Sequence, residues 1–455
     1  MPNWVIRFTF KLEKLIRIFQ LTHLKSSMVI KLLNVNNAPE RLRVIIPVGG
    51  KAKRLLPLTA ETSKACIRLV NRPMIEFSLL SLARQGIRNF IFGVKGYTNY
   101  RDLHDYFESG YGFSARYGIN PRVHVKYQPN VEDLGSADSA RISMDYYNVK
   151  DPVFAVQGDN IFDVDVKELV EFHEKKGAVM TIALREVKNV EGFGIADINK
   201  ERRISRFVEK PSPKEAPSNL ANTGLYMVSP EIRKIFKEKG VKQIIKEEHR
   251  LDFGFDFIPY LIRTGRPVYG YTLKGSWYDV GTPRHYLEAM QDMLMGRFSS
   301  LTDFGGRISE KERVWVQGES TESMKSRKEI IRKIREKKID IEGAVLIGRH
   351  CRIEDGARIA NSCIDNYTQV GKDAVIENSA VMDRVIIGEK AEIRESILGR
   401  HITVRSSAKK RTSIKSISVI ADDVTLAEGC KLSATKIYPH QYVRGQFENQ
   451  TIMSA

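Results

Sequence analysis

The chain has 455 residues, 42% of them hydrophobic and 28% charged, a length that allows two or three domains, each with its own core. That composition lies near the globular average and contains no run of about 18 apolar residues, which excludes a disordered chain and argues against membrane residence. Residues 1–43, 325–338 and 404–416 supply all but one of the +18 net charges, so the excess decorates a terminus, a linker and a loop, and a nucleic-acid partner is not expected.

In chain order, the first 40 residues mix Trp4, Val5, Ile6 and Phe8 with Lys11, Lys14 and Arg17. They lack the unbroken apolar core and small-residue cleavage site of a secretory signal. The stretch therefore reads as a basic N-terminal extension, and the cytoplasm as the location. From Leu42 to Met295, β-rich runs alternate with amphipathic helices. Strands are predicted at Leu42–Val48, Asn89–Val94, Val123–Tyr127, Val153–Val156 and Val179–Leu184, and helices at Pro73–Gln85, Gly135–Tyr146 and Val166–Lys176. This alternation predicts an α/β fold over residues 41–296, a Rossmann-like, mostly parallel sheet with helices on both faces. Such sheets bind ligands beyond the carboxyl ends of their strands, which directs attention to the loops after Val48 and Val156.

Residues 297–340 break the pattern and read as a linker. It carries a basic helix, Lys325–Lys338, whose Ile330, Ile331 and Ile334 form a narrow apolar stripe suited to packing against a neighbouring domain. From Ile341 aliphatic residues recur every six residues with occasional fives: Ile347, Ile353, Ile359, Ile364, Val370, Ile376, Met382, Ile387, Ile393, Leu398 and Val404. Small residues accompany many of them, Cys351 and Cys363 included. A hexapeptide period is the signature of a parallel β-helix with the aliphatic residues inside, and the stacked coils resemble the left-handed hexapeptide β-helix. After a basic interruption at Arg405–Lys415 the register resumes at Ile420, Leu426 and Leu432. The β-helix is thus predicted over 341–443, followed by a tail, 444–455. Cys66, Cys351, Cys363 and Cys430 form no CxxC pair, and a packing role is expected of them.

The chemistry begins where the first strand runs into Gly49-Gly50-Lys51-Ala52-Lys53-Arg54. A glycine-containing turn after a strand lets backbone N–H groups approach phosphate oxygens, and three cations within four residues suit a triphosphate. The GxxxxGK[ST] spacing of a Walker loop is absent. Further on come Lys64, Gln128, Leu134-Gly135-Ser136-Ala137-Asp138, Val156-Gln157-Gly158-Asp159-Asn160 and Gly192-Phe193-Gly194. Phe207-Val208-Glu209-Lys210-Pro211, Asn222-Thr223-Gly224 and Trp277-Tyr278-Asp279-Val280-Gly281-Thr282 complete the series. In this order the set closely resembles the sugar-1-phosphate nucleotidyltransferases (NDP-sugar pyrophosphorylases), many of which carry a C-terminal left-handed hexapeptide β-helix.

The resemblance implies an Mg2+-dependent enzyme. It would form an NDP-sugar and pyrophosphate from a nucleoside triphosphate and a hexose 1-phosphate of the glucose or mannose class. It further implies that Arg54 holds the terminal phosphates beneath Gly49 and Gly50, and that Lys64 reaches the reacting phosphates. Gln128, Gly135 and Ser136 would meet the base; Gly194, Glu209 and Asn222 would line the sugar site; Lys210 would grip the sugar phosphate. Asp159 and Asp279 match the magnesium-holding carboxylates, and a homo-oligomer assembled through the β-helix is expected. Elementary chemistry agrees with this cast. The nucleophile is already a phosphate oxygen, so the task is to position two repelling anions and neutralise charge as the α-phosphorus is attacked in line. Magnesium takes one or two carboxylates together with phosphate oxygens and water.

Two departures stand out. The loop that commonly reads GGxGTRL has Ala52 for its later glycine and Lys53 for the small hydroxyl residue, and the usual PKP is Ser63-Lys64-Ala65. Alanine resists positive φ, so a different loop geometry is expected. Two other readings compete. A non-catalytic regulatory relative typically loses metal or phosphate ligands, whereas Asp159, Lys210 and Asp279 all remain. A bifunctional enzyme acetylating amino-sugar phosphates needs a histidine base, for which His350 and His401 are the candidates, neither in a matching motif. Cues to the substrates conflict. Gly135–Asp138 resembles adenylyl- and thymidylyltransferases and Gly158-Asp159-Asn160 thymidylyltransferases, while Lys436-Ile437-Tyr438-Pro439 is similar to guanylyltransferases of mannose 1-phosphate.

Overall fold

The computed structural model describes residues 41–50, 52–129, 132–309 and 312–453. The basic extension expected over 1–40 and Lys51 of the glycine turn lie outside the described residues. A parallel run of four strands, in the order His124–Pro129, Asn89–Val94, Arg43–Val48 and Val153–Val156, forms one half of a nine-stranded sheet. Parallel neighbours need crossovers, and the helices Met74–Arg84, Tyr97–Phe107 and Ser136–Tyr146 provide them. Beyond Val153–Val156 the sheet is mixed. Leu220–Val228 pairs antiparallel with Val153–Val156, Met180–Glu186 and Gly194–Ile198, and Ile204–Glu209 lies antiparallel at the edge. There the strands follow one another through short loops, which antiparallel pairing permits.

Alternation along the central strand divides two cores. Val44, Ile46 and Val48 join Phe77, Leu80, Leu103 and Leu169, whereas Ile45 faces Ala140, Met144 and Leu261 on the other side. Gly93 allows the helix Ser136–Tyr146 to seat closely on its strand, since a Cβ there would overlap the Ser139 hydroxyl. The helix Val166–Lys176 has the predicted bounds, begins at an Asp165 side chain accepting from Glu168 N, and ends at left-handed Gly177.

The C-terminal half is a parallel β-helix of three sheets with eight, seven and six strands. Ile347 pairs with Ile364, Ile364 with Val381 and Val381 with Leu398, so each of these coils advances by 17 residues. Inside are Ile353, Ile359, Ile376, Ile387, Ile393 and Val404, as the period required. Two positions differ. Val381, not Met382, fills the interior, because the step from Ile376 is five residues; Met382 points out and joins the core of the α/β domain. Cys351 is internal, but Cys363 precedes inward-facing Ile364 on the same strand and so faces the α/β domain. Only residues 405–412 of the basic interruption form a loop; the register resumes earlier than Ile420, at buried Ile414 of the strand Ser413–Lys415, which pairs with Ile393 and Leu432. Buried Ser362, Ser379 and Ser396 form a ladder in which the Ser362 and Ser379 hydroxyls each accept from the amide of the next coil's serine.

The β-helix outruns both sequence bounds. Val314–Val316 already pairs with Val345–Ile347, inside what reads as linker, and Gln446–Glu448 and Thr451–Ile452 of the expected tail are strands of the last coil. The basic helix spans Thr321–Arg335. Its Ile330 is buried in the β-helix core, with Ile331 and Ile334 packed against it, so the apolar stripe caps the first coil.

One face of the β-helix docks on the α/β domain. Leu346, Cys363, Ala380, Ile397 and Val419, stacked on successive coils, share the core of that domain. Arg68 enters this interface and pairs with buried Asp365, with Asp383 4.0 Å away. Asn71 Nδ2 donates to Gln317 Oε1 at 3.3 Å, and Cys363 Sγ lies 3.0 Å from Asn71 Oδ1. At the far end His440 Nε2 meets Glu61 Oε2 at 3.0 Å.

Candidate active site

A cleft of about 640 Å³ opens at the carboxyl ends of the parallel strands, where the fold places ligand sites. Gly49, Gly50, Arg54, Lys64, Gly135, Ser136, Asp159 and Lys210 all line it. Gly49 and Gly158 are there for close approach: a Cβ at Gly49 would stand 2.8 Å from Lys95 Cβ, and one at Gly158 2.8 Å from Val48 Cγ2. Ala52 adopts the left-handed conformation (φ 42°, ψ 41°) and leads into a 3-10 turn, Lys53–Leu55. The loop thus keeps the turn that alanine was expected to resist. Thr59 Oγ1, bonded to Ala52 O at 3.1 Å, and Leu55 N, bonded to the same oxygen at 3.0 Å, hold it.

The acidic pair is built by a ribbon. Asn160–Phe162 follows Asp159 and pairs antiparallel with Trp277–Asp279, with Asp279 opposite Asn160, so the two carboxylates arrive side by side from strands 120 residues apart in sequence. Lys64 Nζ donates to Asp159 Oδ2 at 2.7 Å. Burial raises the Asp159 carboxyl, but the Lys64 charge and hydrogen bond outweigh it and hold the group below the usual carboxylate range. Asp279 is raised instead, first by burial and then by neighbouring Asp159, against the pull of Lys64 and Arg54; Arg54 Nη2 lies 3.9 Å from its Oδ2. Two carboxylates whose charges oppose each other, beside a cleft lined by cations, could hold a magnesium ion that takes its other ligands from phosphate and water. Among the described residues no cluster of three or more His, Cys, Asp or Glu side chains forms a larger metal site.

Across the cleft stands Lys210, left-handed (φ 50°), with Nζ 3.9 Å from Glu209 Oε1. Burial pushes the Glu209 carboxyl up to about 7, with Lys210 opposing and Asp252 adding to the rise. Gly194 pairs with Glu209 across the edge strands, and a Cβ on it would overlap that carboxylate. Of the remaining expected contacts, Asn222 and Gln128 stand off the cleft wall. Asn222 is engaged internally, donating to Tyr226 Oη at 2.9 Å and accepting from Gly224 N at 3.0 Å. Gln128 is buried, with Nε2 on Pro129 O and an Oε1 that accepts no hydrogen bond among the described residues. Ser136 lines the cleft, but its hydroxyl donates to Asp252 Oδ2 at 2.6 Å and accepts from Phe253 N at 3.1 Å.

Several cleft residues escaped the sequence reading. Lys95 follows the strand Asn89–Val94 directly and donates to Asp133 O. The rule that led to Gly49 and Asp159, a strand's carboxyl end, also points to it. Asp252 caps a π-helical turn, Phe253–Phe257, whose Asp-Phe-Gly-Phe-Asp-Phe sequence has no strand or helix period to announce it. On the β-helix, His350 stacks on Tyr367 with centroids 4.6 Å apart, and His401 Nδ1 lies 3.3 Å from Asp423 Oδ1.

Comparison with known proteins finds a family model described as Nucleotidyl transferase matching residues 43–296, and one described as GMPPB C-terminal domain matching residues 341–453. The UTP–glucose-1-phosphate uridylyltransferase of Synechocystis sp. is 27% identical over 328 residues, 70% of this chain and 76% of its own length. The mannose-1-phosphate guanyltransferase of Saccharomyces cerevisiae is 32% identical, with 54% of this chain and 63% of its own covered. The glucose-1-phosphate adenylyltransferase of Bacillus mycoides is 28% identical, with 72% and 88% covered.

Proposed function

Since this chain belongs to the nucleotidyl transferase family and is a sugar-1-phosphate nucleotidyltransferase, we propose that its cleft joins a nucleoside triphosphate to glucose 1-phosphate or mannose 1-phosphate and releases pyrophosphate. The observation that carries this reading is that Arg54, Lys64, Asp159 and Lys210 line one cleft, with Lys64 bonded to Asp159 and Asp279 beside Arg54. In this reading Lys210 binds the hexose phosphate, and Arg54 and the Gly49-Gly50 turn take the β- and γ-phosphates. Lys64, released from Asp159, meets the charge that builds as a sugar-phosphate oxygen attacks the α-phosphorus. The bond from that phosphorus to the departing pyrophosphate oxygen breaks in line with the attack. No general base is needed, because the attacking oxygen is already anionic. Magnesium, held by Asp159 and Asp279, would neutralise triphosphate oxygens. Glu209, Gly194 and Asn222 are assigned to the sugar, and Gln128, Gly135 and Ser136 to the base.

The site of action we assign is the cytoplasm, as a homo-oligomer assembled through the β-helix. Among the described residues no helix is long and apolar enough to cross a membrane. The relatives named above differ in both base and sugar, so a pyrophosphate-release matrix of the common nucleoside triphosphates against hexose 1-phosphates is the test. GTP with mannose 1-phosphate is the first pair to try, given the C-terminal match. Asp159→Ala is expected to abolish turnover without unfolding the protein, and an active variant would overturn the metal assignment.

A further inference from the structure

Resting on the sugar-phosphate role given to Lys210, we propose that Phe255 is a positioning residue that aims the Lys210 ammonium at the incoming hexose phosphate. The Lys210 side chain is 54% exposed, and its two contacts among the described residues are unequal. Glu209 Oε1, at 3.9 Å, is beyond hydrogen-bond reach, whereas the Phe255 ring centroid lies 5.0 Å from the ammonium, within cation–π range. Phe255 is itself 43% exposed, so burial does not account for a phenylalanine here.

Its ring is held by the backbone beneath it. Asp252 Oδ1 accepts from Gly254 N at 2.9 Å and from Phe255 N at 3.3 Å, and Asp252 N donates to Asp256 Oδ2 at 2.8 Å. Arg250 grips Asp256 through two bonds of 2.9 and 2.8 Å, and its guanidinium carbon lies 4.8 Å from the same Phe255 ring. Gly254 seats the turn directly against Glu209, since a Cβ there would overlap that carboxylate. The ring is therefore registered on the Glu209–Lys210 pair rather than merely near it.

The chemistry favours a ring over a second carboxylate. A carboxylate at hydrogen-bond distance would neutralise the ammonium and compete with phosphate. A π face attracts the cation while leaving its N–H donors and net charge for the ligand. Lys210 lines the cleft and Phe255 does not, so Phe255 acts through the lysine.

Steady-state pyrophosphate release tests this, using whichever of glucose 1-phosphate and mannose 1-phosphate turns over. Phe255→Leu is expected to raise KM for the hexose 1-phosphate about fivefold, with KM for the nucleoside triphosphate and Tm unchanged, and Phe255→Trp to restore the wild-type value. An unchanged sugar-phosphate KM in Phe255→Leu, equal losses for both substrates, or a Trp variant no better than Leu would overturn the proposal and leave the activity standing. Wild-type protein silent with every substrate pair would remove the activity and the proposal together.

Discussion

Half-buried Glu209 and buried His173 are both titratable groups, and their effects on stability run in opposite directions with pH. His173 is neutral in the fold, held between Thr181 Oγ1 at 2.8 Å and Ser229 Oγ at 2.9 Å, and burial lowers its pKa to about 4. As pH falls below about 6.5 the unfolded chain takes up a proton that the folded chain refuses, so stability is lost down to about 4. Glu209, raised to about 7, behaves inversely: the fold retains a proton that the unfolded chain releases. Its contribution is complete below about 4.5 and is lost as pH rises through about 7. Each effect is about 3 kcal/mol at most, so between about pH 4.5 and 6.5 they largely offset each other. Thermal melts across pH 4–8 check this. Glu209→Gln is expected to steepen the loss of Tm on acidification, and His173→Gln to flatten it. An unaltered slope in both variants would contradict the assignment.

At the scale of elements, the anchor Arg68 admits a direct test. Asp365 is 2% exposed, and without Arg68 it keeps an uncompensated buried charge. Arg68→Met should therefore destabilise the protein by about 3–5 kcal/mol, and adding Asp365→Asn should recover part of that loss, as read by denaturant unfolding. Much at this scale is legible in the sequence, and the exceptions have physical causes. Val153–Val156 and Val166–Lys176 fall on their predicted bounds because apolar period and caps agree there. Met382 misleads because five- and six-residue steps both place an aliphatic residue near the interior, and only coil pairing decides between Val381 and Met382. Val314–Val316 is hidden because the helix Thr321–Arg335 interrupts the first coil before the repeat has begun. Within the site, charged residues at strand ends can be found from sequence. The engagement of Ser136 by Asp252 and of Asn222 by Tyr226 cannot, since each joins segments whose approach only the tertiary fold sets.

Taken whole, the molecule is two architectures sharing one core, with the segment that carries Lys64 lying along the seam. That segment is fastened to the β-helix at Glu61 by His440 and at Arg68 by Asp365, on coils well separated in the stack. Neighbouring coils are set apart by the strand spacing of about 4.8 Å, and the serine ladder leaves little freedom in that rise. The repeat is in effect a measuring rod, its graduations fixed by backbone pairing and its two marks read by the catalytic domain. Duplicating one 17-residue coil between Asp383 and His440 should leave the rod intact while shifting the His440 mark by about 4.8 Å. Such a variant is expected to melt close to the wild-type temperature yet turn over more slowly, with Lys64 no longer held between two fixed points; unchanged turnover would show that the catalytic domain keeps its own measure.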